Sequence, residues 1–237
     1  MLRPKALGRM PIFSAAWWRL GQDCLLCGDR AHDVICTACE RALPAARPAC
    51  VRCALPLAID GLCGECQRSA AAFDAAIAAF AYRFPVDRLV HRFKFSADLA
   101  AGRWLAERLS ERARGEPRPD AIVVPPLAAA RLRARGFNQA LEVARIVARA
   151  LGVPLVRDGL THRRETAPQP GLDRAARRAN LAGAFACSRD FAGAHVAIVD
   201  DVMTSGATAG ALARALREAG AARIQVWVVA RTPTPDG

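Results

Sequence analysis

The 237-residue chain is poor in lysine: its 34 basic residues include only Lys5 and Lys94, and the rest are arginine. Arginine in place of lysine on an alanine-rich background tracks genomic base composition, so the bias alone is no sign of a phosphate ligand. Long uncharged runs are also missing. The longest stretch free of Asp, Glu, Lys and Arg runs from Val202 to Ala213 and contains Thr204, Ser205 and Thr208. A membrane span needs about 20 mostly apolar residues, so none is expected. The basic N-terminus (Arg3, Lys5, Arg9) precedes a short apolar piece, Pro11 to Trp18, and no A-x-A cleavage signal clearly follows. The expectation is a soluble, cytoplasmic protein rather than an exported one. Neither G-x-x-x-x-G-K nor G-x-G-x-x-G occurs, which removes the P-loop and dinucleotide fingerprints. With 53% hydrophobic residues, Gly 17 and Pro 15, the composition excludes disorder and collagen.

What is present begins with charge. The formal net charge is +12, and the excess lies mainly in the middle of the chain, over residues 83–118, 131–149 and 157–178. Residues 189–237 are neutral overall and residues 24–66 slightly acidic. A basic middle suits a polyanionic ligand, either nucleic acid or a pyrophosphate. For any single arginine a solvated surface is an equal reading.

Eight of the nine cysteines form four C-x-x-C pairs, Cys24/Cys27, Cys36/Cys39, Cys50/Cys53 and Cys63/Cys66. Each pair can bring two thiolates to one ion at about 2.3 Å, and two pairs close a tetrahedral site. Four pairs so close together are a metal scaffold rather than a thioredoxin-like motif, and a disulfide framework would need an oxidising compartment. Two structural zinc ions are therefore predicted. Short loops favour a sequential partition of ligands, and a cross-braced partition uses the same spacings. Such a ribbon buries little core, so metal supplies much of its folding free energy. The expected organisation is an extension over residues 1–22, a double zinc ribbon over 23–69 and an α/β domain over 70–237.

In that last part, Ala121–Val124, His195–Val199 and Ile224–Val229 read as strands. Leu99–Arg114, Gln139–Leu151 and Thr208–Ala219 read as helices, with Gly152 and Gly220 as stops. The alternation predicts a mainly parallel sheet with helices. Asp200 and Asp201 end one strand and are followed by Thr204-Ser205-Gly206-Ala207-Thr208 at a helix start. A small-residue turn there offers backbone N–H groups and hydroxyls to a phosphate. Two carboxylates before it suit sugar hydroxyls or a hydrated Mg²⁺.

The stretch from Asp200 to Thr208 resembles the phosphoribosyl pyrophosphate (PRPP) motif of type I phosphoribosyltransferases. The chain, over roughly residues 22–232, resembles the ComF family of competence-associated proteins, in which a double zinc ribbon precedes such a domain. Further matches are Lys94-Phe95, Arg135-Gly136-Phe137-Asn138-Gln139, Arg164-x-Thr166-x-x-Gln169 and Arg177-x-x-Asn180. The resemblance implies that Asp200 and Asp201 bind ribose hydroxyls and that Thr204, Ser205, Gly206, Ala207 and Thr208 hold the 5′-phosphate. It further implies a pyrophosphate loop after Ala121–Val124 with Arg131, Arg133 and Arg135 nearby, Arg135 standing with the two acids as a catalytic candidate. Residues 163–180, carrying Arg164, Thr166, Gln169, Arg177 and Asn180, would form a mobile loop. Two positions depart from the family's pattern: its V-P-V-P-L reads Val123-Val124-Pro125-Pro126-Leu127, and Thr204 replaces an acid used by some purine-salvage members. A 6-oxopurine substrate is therefore not expected.

Two functions follow from this resemblance. One is transfer or recognition of a 5-phosphoribosyl group with Mg²⁺. The other is a non-catalytic adaptor for single-stranded DNA, working with competence-machinery proteins. His91, His162 and His195 lack partners at motif spacing and read as surface or capping residues. Cys187 reads as a small core residue, and Trp17 and Trp18 as packing residues that could instead stack a base.

Overall fold

The computed structural model describes residues 21–163, 181 and 183–234. Its backbone divides into two compact units, with the division between Ala42 and Leu43. The smaller unit holds the hairpin of β1 (Gln22–Asp23) and β2 (Arg30–Ala31), followed by the short helix α1 (Thr37–Arg41). Its two knuckles follow from local chemistry. Gly28 takes φ 81°, turning the chain after Cys27. Cys36 caps α1 through its own sulfur, which accepts from the N–H of Cys39 at 3.4 Å.

The larger unit begins with the second pair of knuckles, ending in α2 (Gly64–Arg68), with Cys63 at its N-cap. The chain then enters the sheet through β3 (Ala75–Ala81), α3 (Val86–Phe95), α4 (Leu99–Ala113) and β4 (Ala121–Val123). After α5 (Ala129–Arg135) and α6 (Gln139–Leu151) comes an antiparallel pair, β5 (Leu160–His162) with β6 (Phe185–Cys187). The unit closes with β7 (His195–Met203), α7 (Ala207–Glu218) and β8 (Arg223–Arg231).

The sheet order is β3-β8-β7-β4, parallel throughout. Val196 to Val199 and Ile224, Val226 and Val228 are almost wholly buried, as near-continuous apolar runs require when both faces are covered. The expected strands at 121, 195 and 224 are present, the last two longer than the apolar runs alone suggested. The expected helices lie within a residue or two of their read bounds, and Gly152 caps α6 in the left-handed region at φ 64°. β3 and α3 were not anticipated. β3 is mostly alanine and pairs along β8 from Ala75 opposite Gln225 to Ala81 opposite Arg231.

α3 and α4 pack closely enough that one position tolerates no side chain. A Cβ on Gly102 would lie 2.3 Å from the ring of Phe93, which is itself buried against Phe137 at 5.6 Å between ring centres. Gly102→Ala must displace that ring, and its helix-propensity gain is smaller than the overpacking cost. We expect a loss of about 1–3 kcal/mol, read from urea denaturation monitored at the helix band; equal or greater stability would show that the ring has room to move.

Candidate functional site

The structure groups the cysteines sequentially. Cys24, Cys27, Cys36 and Cys39 form one cluster and Cys50, Cys53, Cys63 and Cys66 the other, with the sulfur atoms of each within 4.8 Å of one another. Cys27 and Cys36 Sγ stand 3.8 Å apart, and Cys53 and Cys63 Sγ 3.6 Å. A zinc–sulfur bond of about 2.3 Å in a tetrahedron demands sulfur separations of about 3.8 Å, so both quartets fit that ion. One thiol of each quartet is also prepared for it, while hydrogen bonding to Cys27 and Cys36 pushes Cys39 up to about 12 and burial pushes Cys53 up to about 11. Burial opposes ionisation of Cys24 and Cys50, yet backbone N–H groups aimed at their sulfurs bring Cys24 down to about 6 and Cys50 to about 7. These donors include the N–H of Cys36 at 3.3 Å from Cys24 Sγ and that of Cys63 at 3.4 Å from Cys50 Sγ. His32 is exposed and belongs to neither quartet. Elemental analysis of intact protein should return two zinc ions per chain, with Cys36→Ser and Cys63→Ser each leaving one; a count of one in the parent would overturn the pairing of quartets with ions.

The second feature lies at the carboxyl end of the parallel sheet, where α/β proteins gather their ligands. Asp200 and Asp201 end the buried stretch of β7, and a cleft of about 220 Å³ opens beside them. Lys94 reaches into it from the end of α3, with Nζ 3.0 Å from Asp201 Oδ1 and both side chains largely covered. Arg131 and Arg135 come from α5, and Asn138, Gln139 and Thr208 complete the polar wall. Arg133, on the same helix, is exposed and does not line the cleft.

The Arg135-to-Gln139 motif acts as one piece of architecture. Gly136 turns the chain at φ 77°, and Arg135 Nη1 donates to Gln139 Oε1 at 3.1 Å. The Arg135 guanidinium also lies over the ring of Phe95 at 5.3 Å. Asn138 caps α6 by accepting from Leu141 N–H at 3.3 Å, while its Nδ2 donates to the Pro125 carbonyl at 3.2 Å. His162, read from sequence as a surface or capping residue, lines the cleft instead. One ring nitrogen, Nε2, is 2.9 Å from the Pro126 carbonyl, and the ring packs on Phe185 at 4.8 Å. The loop expected to meet pyrophosphate is thus held at two consecutive carbonyls by side chains from two other elements.

The turn after β7 has two sides. Gly206 takes φ 73°, and a Cβ there would meet nothing closer than 3.7 Å, so backbone conformation rather than space calls for glycine. Ser205 Oγ accepts from Ala207 N–H at 3.3 Å, ordering the start of α7. Thr208 faces the acid cleft, whereas Ser205, Gly206 and Ala207 line a second cleft of about 200 Å³. That second cleft is walled by Cys53, Cys66 and residues 69–73. Arg164, Thr166, Gln169, Arg177 and Asn180, and also Trp17 and Trp18, lie outside the described residues. Among the described residues no helix is long and apolar enough to cross a membrane.

The electrostatics of the acid pair are uneven. Burial and the charge of Asp201 push Asp200 up to about 7, against the pull of Lys94 and Arg131. A carboxyl whose folded pKa exceeds its unfolded value contributes its full stability below the unfolded pKa and loses it as pH rises through the folded one. Asp200→Asn, which mimics the protonated form, should therefore raise the melting temperature most at about pH 8. The advantage over the parent should shrink as pH falls to about 5.5. A difference independent of pH would mean that Asp200 does not titrate in this range.

Residues 100–236 match the family model described as a phosphoribosyl transferase domain, and residues 18–67 match that of a double zinc ribbon domain. DNA utilization protein YhgH of Salmonella typhi is 35% identical over 209 residues, covering 85% of this chain and 92% of that protein. Competence protein F of Haemophilus influenzae is 31% identical over 221 residues, covering 88% and 96%. Among solved structures, the allosteric regulatory enzyme of purine biosynthesis aligns over 54% of this chain and 25% of its own, at 23% identity and a TM-score of 0.37.

Proposed function

The chain belongs to the ComF family, a double zinc ribbon with a phosphoribosyltransferase domain, and on that footing we propose that it binds PRPP or a related ribose 5-phosphate in the acid cleft. One observation carries this reading. A half-buried diacid with a lysine on one carboxylate is followed by a left-handed glycine turn at the start of α7, and two arginines face it. In this reading Asp200 and Asp201 accept from the ribose 2′- and 3′-hydroxyls, and residues 204–208 receive the 5′-phosphate on backbone N–H groups. Arg131 and Arg135 meet the pyrophosphate, and Arg135 is held in position by Phe95 and Gln139. Oxygen donors suit Mg²⁺, and Asp200, whose carboxyl lacks the lysine that Asp201 has, is the side chain that would hold it. When bound, Mg²⁺ would supply neutralisation of pyrophosphate charge.

With a nitrogen nucleophile present, the corresponding reaction is displacement at the anomeric carbon. The C–N bond forms as the C–O bond to pyrophosphate breaks, and the bonding pair leaves with pyrophosphate. The protein's share is orientation and charge neutralisation at the leaving group.

A second reading rests on a different observation. Phe95 is 62% exposed beneath the Arg135 guanidinium, and exposed Leu132 and Arg133 lie on the same helix as Arg135. An aromatic face with guanidinium groups beside it suits stacked bases and a phosphate backbone, and relatives carry DNA utilization and competence in their names. In this reading the chain is an adaptor for single-stranded DNA.

Calorimetric titration of the two-zinc protein with PRPP plus Mg²⁺, and separately with single-stranded DNA, distinguishes the two. On the first reading PRPP binds, Ser205→Ala weakens it by about 0.5–3 kcal/mol, and Gly206→Val weakens it more because a β-branched residue resists the left-handed turn. Release of pyrophosphate in the presence of a nitrogen nucleophile would make it an enzyme. Retention of full PRPP affinity by Gly206→Val would reduce the turn to a helix cap. DNA binding without PRPP binding would leave the adaptor.

A further inference from the structure

Arg231, the last residue of β8, is 3% exposed and joins parts of the larger unit that are far apart in sequence. Its Nε donates to the Cys53 carbonyl at 3.0 Å, within the second cysteine quartet. The two N–H groups of its Nη1 are shared among three carbonyls, those of Met203 at 3.1 Å, Thr232 at 2.8 Å and Thr204. We propose that Arg231 is a positioning residue through which the second cysteine site sets the shape of the 204–208 turn. Ligand binding at that turn then depends on the second quartet and not on the first. The binding consequence rests on reading the turn as a phosphate cradle.

The argument begins with the peptide unit. In a trans peptide the C=O of one residue and the N–H of the next point in opposite directions. An arginine that draws the Thr204 carbonyl toward itself therefore turns the N–H of Ser205 away from itself. Met203 would keep its place without this help, since its carbonyl also accepts from Thr232 N–H at 3.0 Å in continuation of the strand pairing. Thr204 is the first residue beyond β7, and among the described residues the hydrogen bond to its carbonyl comes from Arg231. The turn's first outward donor is thus aimed by the guanidinium.

The guanidinium is in turn located by the ribbon. Its donors lie in one rigid plane, so a shift of the acceptor on Nε rotates the acceptors on Nη1 with it. That acceptor belongs to Cys53, whose own sulfur stands 3.6 Å from Cys63 in the quartet. Cys53 packs against the core of the sheet beside Ala54, but the ribbon's own apolar core is only Leu55 with the cysteines and a partly buried Leu57, too small to hold the turn that carries the Cys53 carbonyl in one conformation without a bound ion. A metal-filled second quartet therefore holds the Cys53 carbonyl, the carbonyl holds Arg231, and Arg231 holds the turn. The second cleft lies along this route, lined by Cys53, Cys66, Arg231 and Ser205.

The test compares Cys63→Ser, Cys36→Ser, Arg231→Met and the Cys63→Ser/Arg231→Met double variant with the parent. Each is examined for zinc content, for ribose 5-phosphate affinity by calorimetry, and for amide hydrogen exchange at residues 203–208 and in β4. Cys63→Ser and Arg231→Met should each weaken ribose 5-phosphate by roughly tenfold, the scale of misplacing one charge-assisted hydrogen bond, and the double variant should lose no more. Exchange at 204–206 should quicken in both, with β4 unchanged as proof that the sheet is intact. Cys36→Ser should lose one zinc ion and leave binding and turn exchange as in the parent. Losses that multiply in the double variant would overturn the proposal. So would parental binding and exchange in Cys63→Ser that has lost its zinc, or quickened turn exchange in Cys36→Ser. Should the parent bind no ribose 5-phosphate, the cradle reading falls and the exchange pattern alone decides whether Arg231 links the quartet to the turn.

Discussion

The parallel pairing of β7 with β8 is the constraint on which the larger unit depends. Its register places Val196 opposite Ile224 and Met203 opposite Arg231, so two largely buried strands end at the same level of the sheet. Burying both faces leaves the strand interiors, Gln225 apart, without polar side chains until their carboxyl ends, where Asp200, Asp201 and Arg231 appear. Opposite charges thus emerge from one apolar block at fixed spacing. Slipping the register by one residue would carry the acids to the opposite faces of β7 and break the block.

Around that block the remaining elements serve mainly as holders. α3 delivers Lys94, and its buried face of Val86, Leu89, Val90 and Phe93 fixes where the lysine can reach. α6 delivers Asn138 at its cap, and β5 delivers His162. Lys94 and Asn138 consequently come from helices with their own packing, whereas α5, which carries Arg131 and Arg135, buries none of its residues and the loop at 124–128 is held by others. For Lys94 and Asn138 the ordering entropy is offset by the cores of their helices and not by the ligand.

Much of this was legible in the residues and some was not, for physical reasons. The cysteine pairs, the acid pair and the turn at Gly206 announce themselves because their chemistry is local. The turn's conformation and the helix that follows are set within a few residues. β3 was hidden because alanine favours helix when isolated; Ala75 to Ala81 becomes a strand only by pairing with β8, some 150 positions later. The place of His162 in the cleft was not legible because its partner, the Pro126 carbonyl, is 36 residues away. Arg231 gave no motif signal at all, since its acceptors are backbone carbonyls, which no residue pattern advertises. Lys94 could be picked out as part of a family match, but its ion pair with Asp201 depends on how α3 packs against the sheet.

The loop at Pro125 and Pro126 has one more consequence. A proline lacks a backbone N–H, and here two stand in succession, their carbonyls taken up by Asn138 and His162. This corner of the cleft is therefore unable to greet an anion with main-chain dipoles at either position. On the proposed reading, negative charge beside these two prolines meets the full charges of Arg131 and Arg135 and not the prolines' own main-chain dipoles. Guanidinium groups near solvent feel added electrolyte far more than sheltered peptide dipoles do. If the cleft takes the proposed ligand, ionic strength would control occupancy at this end of it, while a glycine turn built from backbone would be comparatively indifferent to it.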